Sequence, residues 1–214
     1  MKVTAFVDVL SHWCFASYPV LDALRATLAP DVELEIVFAP AFGNAPVPMT
    51  HEEEARYYRR GTLAYGAALS CAWCEGAQSS TWHANAAVAA AVAHGADPLS
   101  LATFVSHAAM RDGVLLGRED EAARVVGERV QMSRDALLAE MRGSAVAATL
   151  DAGNARLAAI GCAERPSWYI TNDAGDHAAL QGVWQAEAVL PLVRGLLEDE
   201  RAYARFENVD VTAS

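Results

Sequence analysis

The first forty residues leave little choice of fold. Val3–Val9 alternates apolar and small residues with β-branched content and reads as a strand. From about Cys14 to Leu28, the positions Val20, Leu21, Leu24 and Leu28 recur at helical spacing, and Pro30 closes the segment. Val32–Phe38 then alternates strictly, as Val-Glu-Leu-Glu-Ile-Val-Phe, which is a second strand. Strand, helix and strand at these lengths form a βαβ unit. Such a unit demands a parallel strand pair joined by a right-handed crossover.

Beyond Phe38 the chain changes character. A Pro/Gly-rich loop covers 39–49, and Thr50-His51-Glu52-Glu53 reads as a capping box. From there to about Leu150 the pattern is helical throughout. Helices are expected over about His51–Leu69, Ser80–His94, from Asp97-Pro98 onward, Arg118–Glu128, Ser133–Arg142 and Ser144–Ile160. A strand in "GCAERPSWYIT", a turn at "NDAGD" and a strand in "HAALQG" then make a hairpin. A last helix spans "WQAEAVLPLVRGLLEDE", and the polar tail from Arg201 is expected to be loosely held. The order βαβ, helical block, αββα is the thioredoxin arrangement with an insertion. The expected fold class is therefore α/β, thioredoxin-like, with a helical insertion domain. Residues 1–48 and 145–200 would form the thioredoxin-like domain, 49–144 the all-helical insertion and 201–214 the tail.

Composition narrows the function classes. Of 214 residues, 53% are hydrophobic and 20% charged, enough for a core and too apolar for disorder. The net charge of −11 disfavours nucleic acid and anionic membrane surfaces, both of which need basic residues. The start, MKVTAFVDV, has no signal-peptide pattern, and no apolar run approaches 18 residues. A cytoplasmic location is the expectation. Cys14, Cys71, Cys74 and Cys162 are then expected as thiols unless they are redox-active or bind metal.

The junction between the first strand and the first helix carries Ser11-His12-Trp13-Cys14. Helix N-termini present free N–H groups and the positive end of the dipole, so a cysteine there can become a stabilised thiolate. Serine at the start of the helix is a favoured cap. The stretch Asp8-Val9-Leu10-Ser11-His12-Trp13-Cys14-Phe15 resembles the D-x-x-C-P-W-C-Y motif of the DsbA family of thioredoxin-fold proteins, in its FrnE-like branch. Gly161-Cys162-Ala163-Glu164-Arg165-Pro166-Ser167-Trp168 is similar to that family's G-V-x-G-V-P-T-F, and "STWHANAAVAAAVAHG" to its T-F-x-A-H helix. The resemblance covers about residues 3–197 and extends to 2-hydroxychromene-2-carboxylate isomerases and kappa-class glutathione transferases. It implies a cis Arg165–Pro166 bond that faces the active site.

The departures from the motif divide the functional reading. Ser11 stands where the attacking cysteine of the redox branch would be, and disulfide exchange requires a thiolate there and a second thiol to resolve. In the isomerase and kappa-class branch the motif reads S-P-Y-S or similar, and the hydroxyl holds the thiolate of bound glutathione. Ser11 resembles that branch, while Trp13-Cys14 resembles the redox one. Gly182-Val183-Trp184-Gln185 lacks the Ser and Asp of the kappa-class stretch that holds the γ-glutamyl end, so bound glutathione would be held differently.

The resemblance thus implies a thiol-dependent, oxidoreductase-like enzyme with an S-x-x-C motif acting on a small molecule or a disulfide. The alternatives are a glutathione-dependent isomerase or transferase using Ser11, and a non-catalytic binding protein of the same fold. Ser11, Cys14 and His12 are the candidate catalytic residues, and Trp13, Arg165, Pro166 and Trp184 the candidates for binding substrate or thiol. His12 is read either as an exposed imidazole that tunes the thiol or as a solvated loop residue. The Ser11 hydroxyl, rather than the Cys14 thiol, is expected to face the open groove opposite Pro166, because residue four of the motif lies a turn inside the helix.

Cys71-Ala72-Trp73-Cys74 is a C-x-x-C outside the expected place. Three readings stand side by side. The pair is a second redox couple, a metal site completed by Cys14, His12 or His83, or a pair of small apolar fillers. Cys162 reads as a structural thiol, and His51, His94, His107 and His177 as surface residues. No metal is expected. Glutathione is the one cofactor implied, the partners implied are small-molecule or thiol/disulfide substrates, and the resemblance leaves room for a homodimer.

Overall fold

The computed structural model describes residues 1–28, 30–65, 68–76 and 78–207. Four strands, β1 (Lys2–Val7), β2 (Glu33–Phe38), β3 (Ser167–Thr171) and β4 (His177–Gln181), form one sheet in the order β2-β1-β3-β4. β1 runs parallel to β2 and antiparallel to β3, with Ala5 opposite Ile36 on one side and Trp168 on the other. β4 closes the hairpin, antiparallel to β3. The expected parallel pair and hairpin are both present.

β1 is buried from Val3 to Val7, as a strand covered on both faces must be. Successive side chains point to opposite faces. Val3, Ala5, Val7, Trp168 and Ile170 enter the main core with Leu21 and Leu24 of α1 (His12–Leu28) and Val189, Val193 and Leu197 of α8 (Ala186–Glu207). Phe6 and Val37 join a smaller cluster with Cys162 and with Leu157 of α7 (Ser144–Ala159). α7 lies so close to β2 that a Cβ on Gly153 would come within 2.2 Å of the Phe38 carbonyl oxygen.

The helices between the two halves are α2 (His51–Tyr65), α3 (Thr81–Ala93), α4 (Pro98–Met110), α5 (Glu119–Val130) and α6 (Arg134–Met141). The capping box is formed: the Glu53 N–H donates to Thr50 Oγ1 at 3.2 Å, and the Thr50 N–H to Glu53 Oε2 at 2.8 Å. Ser80, Asp97 and Ser133 cap α3, α4 and α6 through their side chains. α3 is buried almost all round, with Ala84 and Ala86–Ala91 letting α4, α5, α6 and α7 pack against it.

Two boundaries depart from the sequence reading. α2 ends at Tyr65, not Leu69; residues 66 and 67 of that stretch lie outside the described residues. The tail from Arg201 is helical as far as Glu207, where an Arg201–Asp31 ion pair and an Arg205 Nε bond to the Arg201 carbonyl accompany good helix-forming residues. Residues 208–214 of the expected tail lie outside the described residues. Among the described residues, no helix is long and apolar enough to cross a membrane.

Candidate active site at the start of the first helix

α1 begins at His12, directly after Ser11, which caps it: Ser11 Oγ accepts the Cys14 N–H at 3.4 Å. The Ser11 backbone N–H donates to the Asp8 carbonyl at 3.0 Å, closing the turn that leaves β1. Ser11 is half-buried. Its oxygen serves the cap, and its side chain also hydrogen-bonds the Cys14 sulfur, an interaction that acts to lower that thiol.

The turn is pinned from below by Asp8, which is fully buried. Its Oδ1 accepts the Leu10 N–H at 2.9 Å and Asn85 Nδ2 at 2.8 Å, and its Oδ2 accepts the Ala41 N–H at 2.8 Å. Asn85 also accepts the Val9 N–H through Oδ1 at 3.2 Å. Residues from the turn after β1, the loop after β2 and α3 thus meet on one carboxylate. Asp8 stands in the quoted motif, but two of its partners lie 33 and 77 positions away, beyond the reach of a local reading.

Cys14 does not present the thiolate that a helix N-terminus can favour. Its Sγ turns inward, is fully buried, and accepts the Asp8 N–H at 3.4 Å. Burial pushes the thiol up to about 12, although the Asp8 N–H and the Ser11 side chain each act to lower it. His12 is likewise neither exposed nor solvated. It is packed against Trp13 and Tyr58, with ring centroids 4.6 and 4.8 Å away, and burial, with the Arg60 charge, lowers it to about 4. Its Nε2 is buried without a partner. A Cβ on Gly61 would lie 2.6 Å from His12 Cδ2, so α2 lies directly over the imidazole and shields it.

Trp13 and Trp184 stack with centroids 5.8 Å apart, joining the motif to the segment after β4. Trp168 Nε1 donates to the Val183 carbonyl at 2.7 Å, and the Gly182 N–H donates to the Pro166 carbonyl at 2.9 Å, which fixes that segment. The Arg165–Pro166 bond is cis and Pro166 is buried. The Arg165 guanidinium donates to the carbonyls of Ala39 at 2.7 Å and Ala163 at 2.6 Å, and to Asn154 Oδ1. Its charge reaches Cys14 and Asp8, which face it electrostatically.

The second cysteine pair goes elsewhere. Cys71 precedes and Cys74 ends a one-turn 3-10 helix (Ala72–Cys74), and their sulfurs face His51 of α2 rather than Cys14. His51 is exposed, as read from the sequence, but it is not idle. Trp73, between the cysteines, donates through Nε1 to the Tyr58 hydroxyl, which donates to the Leu10 carbonyl at 3.1 Å. Both motifs therefore lean on Tyr58. Glu54, one turn earlier on α2, is buried with Oε2 unpartnered, and burial together with the Asp8 charge raises it to about 7. Nothing in the local sequence marks Glu54 or Tyr58; an i, i+4 pair facing another helix is visible only once α2 is docked. His83 stands apart, among Gln78, Glu119 and Arg142. All four cysteines are free thiols, and among the described residues no group of three or more His, Cys, Asp or Glu side chains is arranged to hold a metal.

A βαβ unit and a hairpin-plus-helix unit around a helical block, with a four-residue motif at the first helix N-terminus and a cis proline before β3, define the DsbA-like thioredoxin fold. The chain has this fold throughout. It is similar to a Nitrosomonas europaea protein provisionally described as a protein disulfide isomerase (TM-score 0.72, 12% identity, covering 92% of this chain and 98% of that one). It is similar to the cytosolic disulfide reductase DsbM from Pseudomonas aeruginosa (TM-score 0.69, 14% identity, 96% and 100% covered), which also has a structure with GSH. It is also similar to a 2-hydroxychromene-2-carboxylate isomerase (TM-score 0.63, 15% identity, 96% and 99% covered). At these identities the likeness is one of fold. No protein-family model and no curated protein matches the chain.

Proposed function

We propose that the protein is a thiol-dependent enzyme that binds a low-molecular-weight thiol such as glutathione at the N-terminus of α1 and uses it on a small electrophilic substrate, as an isomerase or transferase. One observation carries this reading: Ser11 caps the helix and is only half-buried, while the Cys14 thiol is fully buried and held protonated. A sulfur acting at this helix end would therefore be one brought by a ligand.

The residues present suit such a ligand. The Ser11 hydroxyl would donate to the sulfur, and the first-turn N–H groups add the positive end of the helix dipole. A thiolate held this way stays ionised at neutral pH and supplies the nucleophile. Trp13 and Trp184 would form an aromatic wall beside it. The half-buried Arg165 charge favours a second anion nearby. His12, neutral and covered by α2, moves no proton at neutral pH. The neighbours in fold include a disulfide reductase with a GSH-bound structure and an isomerase, which is consistent with a thiol ligand.

Titration with glutathione, followed by tryptophan fluorescence and by the ultraviolet absorbance of the bound thiolate, tests the reading. Ser11→Ala should weaken binding or thiolate formation about 10–100-fold, the size of a lost hydrogen bond to a charged group. It should cost only about 1 kcal/mol of stability as a lost cap. A variant that loses stability alone, or a native protein that binds no thiol, overturns the proposal. Ser11→Cys separates the redox reading: gain of insulin-disulfide reduction would mark a disulfide-exchange groove that lacks its nucleophile.

A further inference from the structure

We infer that Cys71 and Cys74 form a dithiol–disulfide couple of their own, separate from the Ser11 site, which exchanges with low-molecular-weight disulfides. The two residues bracket a single turn in which the Cys74 N–H donates to the Cys71 carbonyl at 3.2 Å. An i to i+3 turn holds its end Cα atoms within about 7 Å, the span a disulfide bridges by side-chain rotation. Both sulfurs lie against one imidazole: Cys71 Sγ is 3.9 Å from His51 Nε2, and Cys74 Sγ is 3.7 Å from His51 Nδ1. Cys71 is half-buried and open to a reagent, whereas Cys74 is buried and donates to the Cys71 carbonyl at 3.1 Å. An accessible attacking thiol followed by a sheltered resolving one is the order that exchange requires.

The surroundings favour the disulfide over the ionised dithiol. Burial and the Glu54 charge raise Cys71; burial, Cys71 and Glu54 raise Cys74. A couple whose thiolates are disfavoured loses nothing when the sulfurs bond to each other, since the disulfide carries no charge. A shared cation fits less well: among the described residues no group of three or more His, Cys, Asp or Glu side chains is arranged to hold a metal.

In the exchange, His51 takes the Cys71 proton, and the Cys71 sulfur attacks one sulfur of a disulfide RSSR. The S–S bond breaks, RS⁻ leaves, and it takes the proton from His51, leaving Cys71–S–SR. Cys74 then attacks Cys71 Sγ, its proton passing to the second departing RS⁻. The protein loses two electrons and two protons, and RSSR becomes two RSH. Trp73, between the two cysteines in the chain, donates to Tyr58, which holds the Leu10 carbonyl next to Ser11, so the turn is linked to the first motif.

The test is equilibration of the intact native chain in glutathione buffers of graded ratio, with acid quench, alkylation and peptide mass mapping. The expected result is one Cys71–Cys74 disulfide appearing in a single two-electron transition, with a matching change in tryptophan fluorescence. Cys74→Ser should accumulate glutathione on Cys71, Cys71→Ser should react at least tenfold more slowly, and His51→Ala should slow the first step. The inference is overturned if both residues remain alkylatable in excess oxidised glutathione while the unfolded chain oxidises. It is equally overturned if the purified chain holds stoichiometric zinc that blocks both thiols until chelated. Glutathione affinity at Ser11 is read by titration, so failure of either proposal leaves the other standing.

Discussion

The Cys14 sulfur accepts the backbone N–H of Asp8 at 3.4 Å, and that one contact turns the thiol of the motif into the protein. A residue that the motif places at the helix N-terminus, where a thiolate would be stabilised, is instead sealed beneath the turn that leaves β1. At neutral pH Cys14 is therefore a buried thiol. Iodoacetamide should fail to label it in the native chain at pH 8 and label it fully on unfolding. The sign of the pH dependence is set by the folded value, about 12, which lies above the unfolded one. The stability this burial contributes is complete below about pH 9 and declines as pH rises toward 12. Cys14→Ala should remove that alkaline decline, measured as urea stability against pH.

Glu54 gives the complementary case near neutrality. Its carboxyl is raised to about 7 from 4.5, so the folded chain prefers it protonated. The stability is complete below pH 4.5 and is lost as pH rises through about 7. Glu54→Gln, which keeps the shape without the charge, should be nearly neutral at pH 5 and stabilising by about 1–3 kcal/mol at pH 8. Thermal denaturation at the two pH values decides it; an equal effect at both would show that Glu54 is not titrating in this range.

Gly61 separates propensity from packing. In the middle of an exposed helix, Gly→Ala gains about 1 kcal/mol. Here the added Cβ would meet His12 Cδ2 at 2.6 Å, so Gly61→Ala should instead destabilise by about 1–3 kcal/mol, with α2 displaced from the motif. The proton resonances of His12 should shift in the same variant, since its packing against Tyr58 would loosen.

Asn85 should prove more important than its place in an alanine-rich helix suggests. Asn85→Ala removes a donor from the buried Asp8 carboxylate and leaves the Val9 N–H without its acceptor. The expected loss is about 2–4 kcal/mol, the scale of buried groups left unpaired, and urea denaturation measures it. If the loss is below about 1 kcal/mol, Asp8 is not held as described.

Much of the scaffold was legible from the chain alone because it rests on local rules. The period-two alternation around Val3 and Val32, the Thr50–Glu53 box and the Asp97-Pro98 start all depend on neighbours a few residues away, and each is formed. The motif was legible as a resemblance, and with it the proline before β3. The orientations within the site were not. His12 reads as an exposed imidazole or a loop residue until α2 covers it, and the sequence offers Cys14 both as a thiolate at the helix end and as a thiol turned inward until its sulfur is seen under Asp8. The C-x-x-C reads as filler, redox pair or metal site, and nothing local shows that its sulfurs lie against His51, 20 and 23 positions away.

The sequence by itself determined the order of elements, the parallel pair at the N-terminal end and the replacement of an attacking cysteine by Ser11, because backbone periodicity and side-chain identity are properties of the chain. Only the tertiary structure decided which groups keep their charge. Burial holds Cys14 protonated, raises Glu54 to about 7 and lowers His12 to about 4. Packing also brings amide donors from three separate segments to Asp8. The physical reason is that ionisation depends on the water and partners around a group, and those are set by packing between residues far apart in the chain.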